Sequence, residues 1–370
     1  MKPSCPTSTL ADVLPLDFPP IFSQEAAEFS FLRPLRPTLL FTAFWRFAAE
    51  RQCIFWRRVQ GLPQPWTTDP VLAVYKFTNA YRASDRVGQY LIRQVIYDGP
   101  QLPRELFFRT LMFKLFNRIE TWELLQRQLG KLYTDSFSVE RCDRVLSAAL
   151  ARGQSIYSAA YIMPSGGGSA APFARKHQMH LELLARMLRD ELPQRLADLS
   201  TMTRAFAALR AYPTIGDFLA YQYVTDLNYS TLTNFSETEF VVPGPGALSG
   251  LRKCFADTGK LKDAKVIRLL LERQQECFAA VGVTFPALPG RSLQLIDIQN
   301  LFCEVDKYAR VAYPQFTGLE GRSRIKRHFL PSTAMLPLWY PPKWGINNSV
   351  RMSGFSGWSM STVLSGNSFV

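Results

Sequence analysis

The chain has 370 residues, 47% of them hydrophobic and 13% aromatic, which is enough to bury a sizeable core and too apolar for a disordered chain. Its 43 Lys and Arg outnumber its 30 Asp and Glu, giving a net charge of +13 and a pI near 9.6, so a polyanion, nucleic acid first, is the partner to consider. No apolar run reaches the ~20 residues of a membrane span, the six cysteines form no CxxC pair, and three histidines supply too few ligands for a zinc or iron–sulfur site. We therefore expect a soluble intracellular protein with no membrane partner and no bound metal.

Residues 1–37 are Pro-rich and weakly periodic, and read as an N-terminal arm. Helical spacing then dominates. In the first stretch, Asn79, Arg82, Arg86, Gln89 and Arg93 recur at steps of three and four, opposite Val87, Leu91 and Val95. This predicts one helix with a polar, basic stripe, which is either a solvated face or a face turned to DNA, where Asn and Gln can pair with base edges. Tyr81 and Tyr90 can stack on bases or fill core. Farther on, Phe108, Leu111, Met112, Leu115, Ile119 and Trp122 form an apolar stripe, as do Leu181, Leu184, Leu188 and Leu192, and less regularly Val266, Leu269, Leu270 and Val281. Strand-type alternation is scarce and no repeat is visible, so the fold class is all-α.

Between the first two apolar stripes lies "MPSGGGSAAPFARK" (163–176). It lacks the GxxxxGK[ST] spacing and the preceding strand of a phosphate loop, and reads as a connecting loop. His177 and His180 fall on one face at i, i+3, but a metal there would need further ligands.

"DFLAYQYVTDLNYS" predicts a helix carrying Asp226, Asn228 and Tyr229, and "VVPGPGALSGLRKCF" (241–255) a tight turn feeding a second helix. A helix, a Gly-x-Gly hairpin and a helix suit a DNA backbone. Glycines at 244, 246 and 250 allow main-chain N–H groups to approach phosphate, and a helix N-terminus favours an anion. Arg252 and Lys253 add charge nearby. "NLFCEVDKYARV" (300–311) follows with Asp306, Lys307 and Arg310, and "GRSRIKRHF" (321–329) is a basic run containing Arg322, Arg324, Lys326 and Arg327. Residues 331–370 form a Pro/Gly/Ser-rich tail.

Two resemblances follow from these segments. Val305 and Asp306, followed by Arg310 and Val311, resemble the active-site segment of helix-hairpin-helix DNA glycosylases, with one residue fewer between Asp and Arg than is usual there. "NAYRASDRV" (79–87) looks like that superfamily's early helix, which fills the gap left by an extruded base; the filler would be Arg82. Leu248 stands where lyase-type members carry a Schiff-base lysine, so the resemblance does not extend to lyase chemistry. More broadly, "FWRFAAERQCIFWRR", "PWTTDPVLAVYKFTNAYRASDRVGQYLIRQVIYDG", "DLNYS", "EFVVPGPGALSGLRKCF" and "FCEVDKYAR" are together similar to the helical family shared by phage 5-hydroxymethyluracil DNA kinases and alpha-glutamyl/putrescinyl thymine pyrophosphorylases.

The resemblance implies a glycosylase-like body of two helical subdomains flanking a DNA-binding cleft, one spanning 38–200 with the base-flipping helix and one spanning 201–330 with the hairpin and Asp306. It implies double-stranded DNA with a modified thymine as partner, and a flipped base whose 5-methylene pyrophosphate is replaced by an amine. The amine donor, an amino acid or polyamine, is a co-substrate; no cofactor is tightly bound, and a need for Mg at the pyrophosphate is left open. Asp306 would act as general base or electrostatic stabiliser, Lys307 and Arg310 on the leaving group, and Asn79, Tyr81, Arg82, Asp85, Arg86, Gln89, Asp226, Asn228 and Tyr229 in the pocket. Two alternatives stay open: a monofunctional glycosylase, and a non-catalytic DNA-binding partner of a separate DNA kinase.

Overall fold

The computed structural model describes residues 21–22, 25–159, 163–164, 173, 175–319, 324–330 and 337–354. Fifteen α-helices occur among them, and the β-structure is limited to a two-stranded antiparallel ladder, β1 (Arg36–Pro37) with β2 (Phe255–Asp257), and isolated bridges. The chain is thus mostly helical, as expected.

Helix α1 (Leu39–Val59) is buried on nearly every side, because aromatic and small residues run all round it. Its Phe44 stacks on Phe302 with ring centroids 4.3 Å apart, and Trp45 meets Phe278 edge-on at 4.7 Å. Helix α2 (Pro70–Val74) starts where Pro70 presets the first φ and Asp69 Oδ1 accepts the Val71 and Leu72 amides at 2.9 and 2.8 Å. Helix α3 (Arg86–Tyr90) runs into a π-helical turn, Leu91–Ile96. There follow α4 (Pro103–Phe116), α5 (Ile119–Leu129), α6 (Val139–Ala151), α7 (Lys176–Arg189), α8 (Leu192–Ala197), α9 (Met202–Arg210) and α10 (Asp217–Leu227). The series ends with α11 (Pro245–Cys254), α12 (Asp263–Glu272), α13 (Gln274–Ala280), α14 (Leu295–Ala312) and α15 (Asn347–Gly354).

The apolar stripes are core, but they do not map one to one onto helices. The stripe from Phe108 to Trp122 breaks at Asn117, whose φ of 48° ends α4 in the left-handed region before α5 begins. Likewise Leu192 opens α8, after Glu191 at φ 53°. Periodicity reports which residues are buried; it does not register a one-residue left-handed turn that leaves the spacing intact.

Three further expectations change. The polar stripe of residues 79–93 is not one helix face, because Arg82–Ser84 form a 3-10 turn, α3 begins only at Arg86, and Arg82 and Gln89 are buried. The helix before the Gly-rich turn ends at Leu227, and residues 228–244 intervene before α11, so no tight hairpin joins α10 and α11. Part of the C-terminal tail packs back: Tyr340, Ile346 and Val350 are buried, with Tyr340 Oη 2.8 Å from Ser84 Oγ.

The most extensive helix contact is that of α11 with α14, and both also pack on α1. A single connected set of buried side chains extends from Ile21 to Val350.

Candidate nucleic-acid interface

Helix α14 presents different charges to two neighbours. Towards α11 it offers Asp306, 3% exposed. Asp306 Oδ1 accepts hydrogen bonds from Ser249 Oγ and Lys253 Nζ, both at 2.6 Å, and Oδ2 accepts from Arg310 Nη2 at 2.5 Å. Burial alone would raise its pKa; the bonds from Lys253, Ser249 and Arg310 outweigh that and hold the carboxyl below the ordinary aspartate value. The close approach that these bonds require depends on glycines. A Cβ on Gly250 would fall under 3.0 Å from the Phe302 carbonyl oxygen, and one on Gly246 equally close to Cys303 Sγ. Gly244, the N-cap of α11, lies against the Phe218 ring.

This geometry assigns Asp306, Lys253, Gly246 and Gly250 to the joint between two helices. Lys253 is 3% exposed and its ammonium is engaged with Asp306, so it is not presented to a DNA backbone as its sequence position suggested. Asp306 is ionised and enclosed by two cations, which makes it a poor proton acceptor at neutral pH.

A second buried cluster unites three other predicted residues. Arg82, 5% exposed, pairs bidentately with Asp226 at 2.6 and 3.0 Å, and also reaches Gln222 Oε1 and Tyr229 Oη, each at 3.2 Å. Lys114 Nζ joins at 3.2 Å from Asp226 Oδ2. Burial pushes the Lys114 ammonium down to about 8, with Asp226 opposing the shift. Burial also acts to raise Asp226, but Arg82 and Lys114 hold it below its ordinary value. Arg82 could fill a gap in a base stack only by leaving this network, which would strand a buried carboxylate. Tyr81 is buried, its hydroxyl donating to the Arg291 carbonyl at 2.5 Å. Asn228 organises its own loop through Phe235 and Thr233, and Gln89 binds the Ala83 carbonyl and the Trp339 amide.

Towards the segment before Arg82, α14 offers Glu304 and Lys307. Glu304 Oε2 accepts from the Thr78 amide at 2.9 Å and from Lys307 Nζ at 2.7 Å, while Lys307 also donates to the Lys76 carbonyl at 2.8 Å. From α1, Arg51 reaches the Thr78 carbonyl at 3.0 Å and Asn79 Oδ1 at 3.2 Å. Half-buried Asp85 accepts the Asn79 amide at 2.8 Å. Desolvation pushes the Asp85 carboxyl up to about 7; Glu304 adds to the rise, and the Asn79 amide, Arg51 and Arg82 oppose it. Asp85 is thus a half-buried carboxyl whose protonated form is favoured, with Glu304 and Arg51 acting on it and exposed Arg86 next to it in the chain.

The described part of the basic run pairs with the segment before Phe77. Arg324, Lys326 and Arg327 are exposed, Ile325 between them is buried, and the strand-like segment bonds to residues 74–76 through Lys76 N to Arg327 O at 3.0 Å and Phe329 N to Val74 O at 2.9 Å. The described part of the run, 324–329, is extended; Arg322 lies outside the described residues. Arg252 is exposed on α11.

The sequence reading missed Arg51, Glu304, Lys114 and Gln222. Glu304 was legible as a second acid two residues from Asp306; the others become polar partners only through long-range contacts. One constellation is deceptive. Asp143 Oδ1 and Ser147 Oγ both approach His177 Nε2, at 2.6 and 3.2 Å. A relay needs the two ring nitrogens on different partners, so this is not a nucleophilic triad. Among the described residues no three His, Cys, Asp or Glu side chains converge as metal ligands, and no helix is long and apolar enough to cross a membrane.

Comparison with known proteins gives the family of this mostly helical chain. Residues 38–318 match the family model described as the helical domain of 5-hmdU DNA kinase, and the chain belongs to that family. It is 26% identical over 280 residues to the 5-hmdU DNA kinase of Bacillus phage SP10, an alignment covering 70% of this chain and 43% of that relative. No solved structure matches.

Proposed function

We propose that this chain acts on a flipped, 5-hydroxymethyluracil-derived base in double-stranded DNA and replaces a 5-methylene pyrophosphate with an amine from an amino acid or polyamine. The observation that carries the reading is Asp85, a desolvated carboxyl that accepts the Asn79 amide with Arg51 and Glu304 acting on it, in a chain whose family is named for a kinase of that nucleoside in DNA. Extruding the base costs a few kcal/mol and exposes the 5-substituent to a side-chain pocket. The amine nitrogen forms a bond to the methylene carbon as the carbon–oxygen bond breaks, pyrophosphate departs with the electron pair, and Asp85 takes the ammonium proton. Lys76, Arg86 and Lys307 supply positive charge for the leaving group. The proposal keeps a glycosylase-like layout, with lobes at 38–200 and 201–330 and DNA crossing between them, and shifts the base from Asp306 to Asp85.

The relative's name adds phosphoryl transfer, but no GxxxxGK[ST] loop occurs in these 370 residues and the chain spans under half of that relative. The pyrophosphorylated base would come from a phosphoryl-transfer step that the proposed reaction does not itself include.

The test is nucleoside mass spectrometry on duplex DNA bearing 5-hydroxymethyluracil or its pyrophosphate, incubated with the protein and a pool of amino acids and polyamines. A new nucleoside mass, lost in Asp85→Asn, is the expected result. Release of free base with abasic DNA would instead define a glycosylase. Unchanged DNA despite salt-sensitive binding would define a binding partner of the kinase.

A further inference from the structure

Helix α1 ends in two adjacent arginines with different surroundings. Arg57 Nη1 donates to Glu50 Oε1 at 3.3 Å and to the Trp66 carbonyl at 2.6 Å. The Arg58 guanidinium has no hydrogen-bond or ion-pair partner among the described residues: its Nε is buried and unsatisfied, and its Cζ lies over the rings of Trp66 and Phe329, 5.2 and 5.7 Å from their centroids. The C-terminus of α1 and the two ring faces each favour a cation there. Neither satisfies N–H donors, and a guanidinium carries five.

Arg58 lines a cavity of about 120 Å³ together with Arg51, Gln64, Trp66, Thr67 and Phe329, and none of its lining residues is a carboxylate, although Glu50, Glu304 and Asp85 act on Arg51 electrostatically. Arg58 and Arg51 with two neutral polar side chains and no lining acid form a wall suited to an anion; Arg51 already donates to residues 77–79, and Arg58 is the cation with buried donor capacity unused. The planar fork of arginine matches the oxygens of a phosphoryl group better than a point charge would. Arg51 also touches residues 77–79, the segment whose Asn79 amide is bound by Asp85.

We propose that this cavity is a phosphoryl-binding site in which Arg58, assisted by Arg51, Gln64 and Thr67, holds a phosphate or pyrophosphate group. The group can belong to free pyrophosphate or to DNA, and the site does not depend on the amine-transfer reaction.

The experiment is calorimetric titration of the full chain with inorganic pyrophosphate, paralleled by tryptophan fluorescence to report on Trp66, and by anisotropy with unmodified duplex DNA. Saturable pyrophosphate binding is expected, weakened roughly tenfold or more in Arg58→Met. Arg58→Lys keeps the charge and the stem, and should bind more weakly than the parent with its fold intact. Gln64→Ala, at an exposed lining position, should weaken binding by a smaller factor without touching the core. If pyrophosphate competes with duplex DNA and Arg58→Met weakens both, the natural occupant is a DNA phosphoryl group; if DNA affinity is unchanged, it is the free anion. No pyrophosphate binding at millimolar concentration, or equal binding by parent, Arg58→Lys and Gln64→Ala, overturns the assignment. Amine-transfer activity enters none of these readouts.

Discussion

Asp306 and Asp85 titrate in opposite directions because of their partners. Asp306 is buried but receives Lys253, Ser249 and Arg310, so its ionised form is favoured. Its contribution to stability is present above the unfolded aspartate value and is lost as pH falls through the lower folded value. Asp306→Asn leaves Lys253 buried without its counter-charge and should cost about 3–5 kcal/mol in denaturant unfolding; a loss below about 1 kcal/mol would mean that the pair is in effect exposed. Asp85 is the reverse case. Folding favours its protonated form, so the contribution is complete below the ordinary value of 3.8 and disappears as pH rises through about 7. Asp85→Asn should therefore gain stability relative to the parent between pH 5 and pH 8, by on the order of 1 kcal/mol. A pH-independent difference between the two proteins would remove Asp85 from the proton-transfer role.

At the scale of elements, the joint of α11 and α14 is where sequence and structure give the same glycines different work. An alanine inside a helix ordinarily stabilises by up to ~1 kcal/mol relative to glycine. Here Gly250→Ala drives a methyl into the Phe302 carbonyl and must part the helices that hold Asp306 and Lys253 together. We expect destabilisation of about 1–3 kcal/mol, read from the unfolding midpoint. If Gly250 served only to admit a phosphate, the alanine variant would be at least as stable as the parent and would bind DNA less tightly; that pattern would return the glycine to the role its motif suggested.

For the whole molecule, the net charge of +13 becomes informative once its distribution is known. Arg324, Lys326 and Arg327 project from one extended segment paired with residues 74–76. Replacing all three with Ala should lower the slope of log affinity against log salt by about 2–3, since each phosphate contact accounts for about 0.9. An unchanged slope in anisotropy titrations would place the DNA elsewhere on the surface.

Composition, apolar periodicity and family-like segments were enough to determine a mostly helical chain, its core stripes, its basic character and its family. These are properties of local spacing and of summed burial, which a chain carries in its order alone. Which polar residue faces which neighbour was decided by tertiary structure. Arg82, Lys253 and Asp306 read as surface chemistry because charged residues are seldom buried, yet each is paired across 50 or more positions in the chain. Asp85 read as one pocket residue among several, and only the approach of α1 and α14 gave it a desolvated site with Glu304 and Arg51 alongside. Burial sets the cost of a charge and the partner sets its sign of preference; both depend on contacts distant in sequence.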